Sequence, residues 1–435
     1  MTSGQELYLE AKRRIPGGTQ LLSKRPEMYL PDQWPSYYSR SSGYEVWDLE
    51  GRRFIDTDSS IGAAVLGFAD PDVDAAVKSA IDNGSVATLN CPEEVELAEL
   101  LCEIHPWADM VRYTRAGGEA MTLAVRAARA HTRRSKVLFC GYHGWHDWYL
   151  AANLAHDEVL SGHLLPGLEP LGVPRELLGT ALPFRYNHPE ELEALVTEHK
   201  GEIAAVVMEP LRGETPEPGF LERVRELATE AGAVFIVDEI TAGFRFASSG
   251  AHRLLGIEPD IAVFAKAMSN GYPMAAVLGR ARVMEAIQGS FISSTSWTER
   301  IGPVAALATI RKHTAHDVGS LLVQRGALIQ SEWQRLADRH GLHVHIGGML
   351  PISHFDFIGD APNATRTLYT QCMLDLGYLS TNRFYVNLRH DNEMLSQYFS
   401  VVDQAFAIVA AAITEGTVET RLRGPVAHSR FKRLA

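Results

Sequence analysis

Short runs of almost unbroken apolar residues recur through the middle of the chain, at 137–140, Ile203–Met208, 233–237, Ile261–Phe264 and 275–278. Each is too short for a helix and rich in β-branched side chains, which predicts strands buried on both faces. The stretches between them carry a different period. In Phe220-Leu-Glu-Arg-Val-Arg-Glu-Leu-Ala228 the apolar positions fall at i, i+1, i+4, i+7 and i+8, the stripe of a helix packed on one side. Alternation of this kind from about residue 71 to 310 predicts an α/β fold, with a mainly parallel sheet sandwiched by helices.

The two ends of the chain read otherwise. Residues 43–56 predict a hairpin, with Val46, Trp47 and Leu49 on one arm, Phe54 and Ile55 on the other, and Glu50-Gly51 at the turn. A long helix is expected over 318–342, then strands at 349–357 and 384–388. These ends, 1–70 and 316–435, are expected to build a smaller α+β domain beside a large domain at 71–315. The segment 154–183, rich in Gly, Pro and Leu, is long for a connector and reads equally as a lid or as a plain surface excursion.

The strand ends bring in the chemistry. The apolar run 261–265 stops at Lys266, just before the turn-rich Met268-Ser-Asn-Gly-Tyr-Pro-Met274. A desolvated amine has a lowered pKa and becomes a nucleophile toward a carbonyl, although this segment alone fits a surface lysine better. The run 233–237 ends on Asp238-Glu239, and ligands of open α/β sheets sit outside the carboxyl ends of the strands, so Asp238 shares the edge of Lys266. An amine for a Schiff base and a carboxylate to keep a pyridine nitrogen protonated are what pyridoxal 5'-phosphate requires. A phosphate site is supplied by Gly117 and Gly118, which open a helix expected to run to about His131. The strand at 137–140 leads into Gly141-Tyr-His-Gly-Trp-His-Asp-Trp148, an aromatic and imidazole-rich loop suited to stacking on a planar ring. A metal site from His143, His146 and Asp147 lacks a second cluster to complete the coordination, so no metal is expected.

Taken in order, AGGEA at 116–120, GYHGWHD at 141–147, MEP at 208–210, DEITAGFR at 238–245 and FAKAMSNGYPMAAVLG at 264–279 resemble the class III aminotransferases, pyridoxal phosphate enzymes of fold type I. The DEITAGFR segment is most similar to the glutamate-1-semialdehyde aminomutase branch. The resemblance spans nearly the whole chain. It implies that Lys266 forms the Schiff base and Asp238 partners the ring nitrogen, with Ile240 on one ring face, Tyr142 on the other and His143 among the cofactor-binding residues. It further implies phosphate binding at Gly117 and Gly118 and a place for Glu209 at the site edge. Thr295 would reach the phosphate of a neighbouring subunit, giving a homodimer with composite sites.

Three departures bear on the substrate. The family commonly has Ser-Gly-Thr-Glu-Ala where this chain has Ala116-Gly-Gly-Glu-Ala120, and a Gly-Asn-Pro run where it has Trp297-Thr-Glu-Arg300. The aminomutase usually has Tyr-His-Gly-His where it has Tyr142-His-Gly-Trp145. The reading is an aminotransferase moving an amino group between a small amine or amino acid and a keto or aldehyde substrate, by a ping-pong mechanism through Lys266. An intramolecular aminomutase, a racemase or epimerase, and a non-catalytic binding protein are the alternatives. Arg383 and Trp145 are the substrate candidates, with Arg245 and Arg389 as further arginines able to hold a carboxylate.

Composition narrows the partners. A formal net charge of -12 over 435 residues argues against nucleic-acid binding. No apolar stretch approaches the about 18 residues of a membrane span, and the N-terminus lacks a signal pattern, so no membrane association is expected. Cys91, Cys102, Cys140 and Cys372 show no CxxC spacing, which suits reduced thiols in a cytoplasmic protein.

Overall fold

A computed structural model describes residues 3–155, 159–160, 163, 169–211 and 213–429. The described parts of Pro71–Gly319 form one compact unit, and those of Met1–Asp70 with Ser320–Ala435 form another.

The first unit is built on seven strands: β1 (Met110–Thr114), β2 (Lys136–Cys140), β3 (Ala181–Pro183), β4 (Ile203–Met208), β5 (Val234–Asp238), β6 (Ile261–Phe264) and β7 (Ala275–Gly279). Their order is β1-β7-β6-β5-β4-β2-β3. The pairs from β3 to β6 are parallel, and β7 runs antiparallel to both β6 and β1. Every residue of β4, β5, β6 and β7 is buried, which is why these runs show no polar alternation.

Successive side chains of one strand feed two separate cores. Val137 and Phe139 pack with Ala120, Ala124 and Ala128 of the helix Gly117–Thr132, while Leu138 and Cys140 pack with Phe220, Val224 and Leu227 of the helix Phe220–Glu230. The latter helix buries Phe220, Leu221, Val224, Leu227 and Ala228, the five positions of the predicted stripe. Each of its larger side chains contributes about 1.5–3 kcal/mol of apolar burial. Because β2, β4, β5 and β6 are parallel, their carboxyl ends deliver Gly141, Glu209, Asp238 and Lys266 to one edge of the sheet. The lid reading of 154–183 falls largely on residues outside the described ones; of those described, Leu160 and Val173 are buried and 181–183 form β3.

In the second unit, Glu45–Asp48 and Arg53–Asp56 make the expected hairpin. Tyr38–Ser42 adds to one side of it and Tyr378–Leu379 to the other. The expected strand at 349–357 is instead a hairpin of Val344–Met349 and Ile352–Phe357. Its first arm is half-exposed and contains Gly347-Gly348, so it carries little hydrophobic signal. The strand expected at 384–388 is shorter, Arg383–Tyr385, because His390 N–H bonds back to the Asn387 carbonyl and turns the chain. The helix expected at 318–342 runs Val318–His340 and stops before Gly341 at φ 64°.

One expectation about membranes needs correction: the helix Asn392–Thr414 is long and apolar enough to cross one by length and composition. Its buried positions Leu395, Tyr398, Val402, Ala405, Phe406, Val409 and Ala412 recur every three or four residues, the spacing of a helix packed into a protein core.

Candidate active site

Lys266 follows β6 directly and adopts φ 48°, a left-handed conformation that costs a non-glycine residue about 1–3 kcal/mol. Its Nζ donates a hydrogen bond to Thr241 Oγ1 at 3.0 Å. Burial lowers the Lys266 pKa, and the Arg245 guanidinium lowers it further against the opposing charges of Glu209 and Asp238. Arg245 is itself fully buried, and its Nε donates to the Thr241 carbonyl oxygen at 3.3 Å. Thr241 thus joins both cations. Sequence reasoning passed over it, because a single threonine in an apolar turn has no spacing that marks it.

Asp238 ends β5 and is buried. Its Oδ2 lies 2.8 Å from His143 Nδ1, and its Oδ1 accepts the Ile240 backbone N–H at 3.0 Å. His143 is also buried, with Nε2 3.3 Å from the Cys140 carbonyl oxygen. The edge of the His143 ring is thus committed to Asp238. Tyr142 differs, being 41% exposed, and its N–H donates to Glu209 Oε2 at 2.9 Å. Burial raises the Tyr142 pKa, and the Asp238 and Glu209 charges add to the rise, so all three belong to one cluster. Gly141 makes this approach possible. At φ 123° it leaves no room for a side chain, since a Cβ there would lie 2.6 Å from Glu209 Oε2.

The helix Gly117–Thr132 points its N-terminus into the same region. A Cβ at Gly117 would sit 2.8 Å from Ile240 Cδ1, so Ile240 and the glycine loop are in direct contact. The first backbone N–H groups of a helix lack intrahelical partners and favour an anion. A desolvated amine, a buried carboxylate held by two N–H donors, and a glycine cradle therefore lie within one unit. This set fits pyridoxal 5'-phosphate, which needs an amine, a carboxylate for its ring nitrogen and an anion cradle.

The remaining expected residues have the following surroundings. Trp145 is 69% exposed and lies beside Gly118, with its ring against His146. Thr295 opens the turn Thr295–Thr298, is exposed, and accepts a hydrogen bond from Thr298 Oγ1 through its carbonyl. Arg383 and Arg389 belong to the other unit. There burial raises the Asp58 pKa against the Ile61 N–H and the charge of exposed Arg383, while Arg389 packs over Gly67. Among the described residues no group of three or more His, Cys, Asp or Glu is placed to hold a metal ion.

Comparison with known proteins gives a consistent picture. The family model for class III aminotransferases matches residues 30–373. The 3-aminobutyryl-CoA aminotransferase of Cloacimonas acidaminovorans (strain Evry) is 29% identical over 422 residues, covering 94% of this chain and 98% of its own. A glutamate-1-semialdehyde 2,1-aminomutase of Heliobacterium modesticaldum is 32% identical over 433 residues, covering 94% and 97%. Among solved structures, the FumI protein of Sphingopyxis sp. MTA144, in its PLP internal aldimine form, superimposes with a TM-score of 0.84 at 26% identity, covering 95% of this chain and 98% of its own.

Proposed function

The chain belongs to the class III aminotransferases, enzymes that depend on pyridoxal 5'-phosphate, and from that premise we propose that its residues move an amino group between a small amine or amino acid and a keto or aldehyde acceptor, with Lys266 as the catalytic amine. The observation that carries the residue assignment is the Lys266 Nζ to Thr241 Oγ1 bond beside buried Asp238, which holds a depressed-pKa amine at the carboxyl edge of the sheet.

Pyridoxal 5'-phosphate, when bound, supplies an aldehyde that captures amines and a ring that takes up the electron pair of a substrate carbon. Lys266 Nζ is the group that accepts the proton from that carbon and returns it. Asp238, fixed by His143 and the Ile240 N–H, keeps a proton on the ring nitrogen. Gly117 and Gly118 offer backbone N–H groups to the phosphate, Ile240 lines one side of the ring and Tyr142 the other, and Glu209 sits at the rim.

A half-reaction tests this against the alternatives. A donor amine without acceptor should release its keto or aldehyde product in stoichiometric amount with the enzyme, and a second carbonyl compound should regenerate the starting form. Isomerisation of one substrate with no released carbonyl supports an aminomutase, the reading favoured by the DEITAGFR segment. Loss of chirality without amino transfer supports a racemase.

The same reading makes the enzyme a homodimer in which Thr295 reaches the partner's phosphate site. Support comes from exposed Thr295 and, in the same unit, Phe291 and Leu89, which are 89% and 82% exposed. Mixing inactive Lys266→Ala and Thr295→Trp chains should restore activity at sites that carry neither change, and no recovery on verified mixing refutes the shared site. Four free thiols support a cytoplasmic location.

A further inference from the structure

The Ala116-Gly117-Gly118 start of the phosphate helix has no side chain able to donate a hydrogen bond. Two donors from the following loop lie against it instead. A Cβ at Gly118 would be 3.0 Å from His146 Cδ2, 3.2 Å from His146 Nε2 and 3.9 Å from Trp145 Nε1. A Cβ at Gly144, φ 101°, would be 3.3 Å from the Gly118 Cα, so this loop packs directly on the helix start. Neither ring nitrogen of His146, nor Trp145 Nε1, has a hydrogen-bond partner among the described residues. Trp145 is 69% exposed and His146 half-buried, so core packing does not account for either. The two rings brace each other at 4.5 Å with a tilt of 36°.

We propose that His146, assisted by the Trp145 indole N–H, binds the phosphate of pyridoxal 5'-phosphate in this chain, in the part that side-chain hydroxyls would otherwise take. The proposal rests on the cofactor dependence of the family. An imidazole N–H aimed at a phosphate makes a charge-assisted hydrogen bond, stronger than a neutral one, and the indole N–H is a donor only. It also gives Trp145 a role at the phosphate instead of at the substrate.

The test is a fluorescence titration of cofactor-free protein with pyridoxal 5'-phosphate and, in parallel, with pyridoxal, which lacks the phosphate. Tight binding of the phosphorylated form by the wild type shows that the cofactor reading stands. His146→Ala should then weaken pyridoxal 5'-phosphate by about tenfold or more, the loss for one hydrogen bond to a charged group, and leave pyridoxal unchanged. His146→Gln, which keeps an N–H donor, should recover part of the loss, and Trp145→Phe should show a smaller loss of the same kind. Inorganic phosphate should raise the melting temperature of the wild-type apoprotein more than that of His146→Ala. Equal losses for both ligands in His146→Ala and His146→Gln, or no loss for the phosphorylated one, would overturn the proposal.

Discussion

Asp238 Oδ2 stands 2.8 Å from His143 Nδ1, while the opposite ring nitrogen faces the Cys140 carbonyl oxygen at 3.3 Å. The imidazole is held between the carboxylate that ends β5 and the last carbonyl of β2. His143 thus fixes the carboxylate that ends β5. His143→Ala should leave a buried carboxylate short of a donor and lower kcat by about tenfold to a hundredfold, the range for partners that orient a functional group. Cofactor content should stay near that of the wild type. Steady-state kinetics together with absorbance of the bound cofactor measures both, and an unchanged kcat would remove His143 from this role.

Thr241 is placed by the fold alone. Thr241→Val keeps the shape and deletes the oxygen that accepts from Lys266 Nζ. One hydrogen bond of this kind is worth about 0.5–1.5 kcal/mol, so kcat should fall by roughly threefold to tenfold. Thr241→Ser should restore it, and the pH profile of kcat should shift in the valine variant only. An identical loss in both variants would indicate packing instead.

Lys266 and Asp238 were legible in the sequence because each ends a β-branched run, and parallel strands bring their carboxyl ends to one edge. The stripe from Phe220 to Ala228 was legible for the same reason: one period decides one buried face. Thr241 and His146 were not, since their roles arise where a turn or loop returns to a neighbouring element, and no local period records that. The arm Val344–Met349 was missed because half-exposed glycines and an exposed histidine dilute its pattern.

A stability test belongs to the turn Ser59–Gly62, where Ser59, Ser60 and Ile61 take φ of 50°, 55° and 57°. Asp56 Oδ1 accepts from the N–H groups of Asp58 and Ser59, and Asp58 Oδ1 accepts from Ile61 N–H. Burial, then the Asp58 charge, raises the Asp56 pKa above its ordinary value. A carboxyl raised in the folded state holds more protons there than in the unfolded chain. Its stabilisation is therefore full below the unfolded value, ~3.9, and is lost as pH rises through the folded value. Urea unfolding of the cofactor-free protein between these limits should show wild-type stability falling with pH more steeply than Asp56→Asn. Parallel slopes would contradict the assignment.

Lys266 carries the account, and its identity can be read directly by mass. Borohydride reduction of the cofactor-loaded enzyme fixes the cofactor to the amine that holds it, and peptide mapping then locates the added mass. The adduct should fall on the peptide containing Lys266, and Lys266→Ala should lose both adduct and turnover while still retaining cofactor through its phosphate. An adduct on any other lysine, or full turnover in Lys266→Ala, would contradict it.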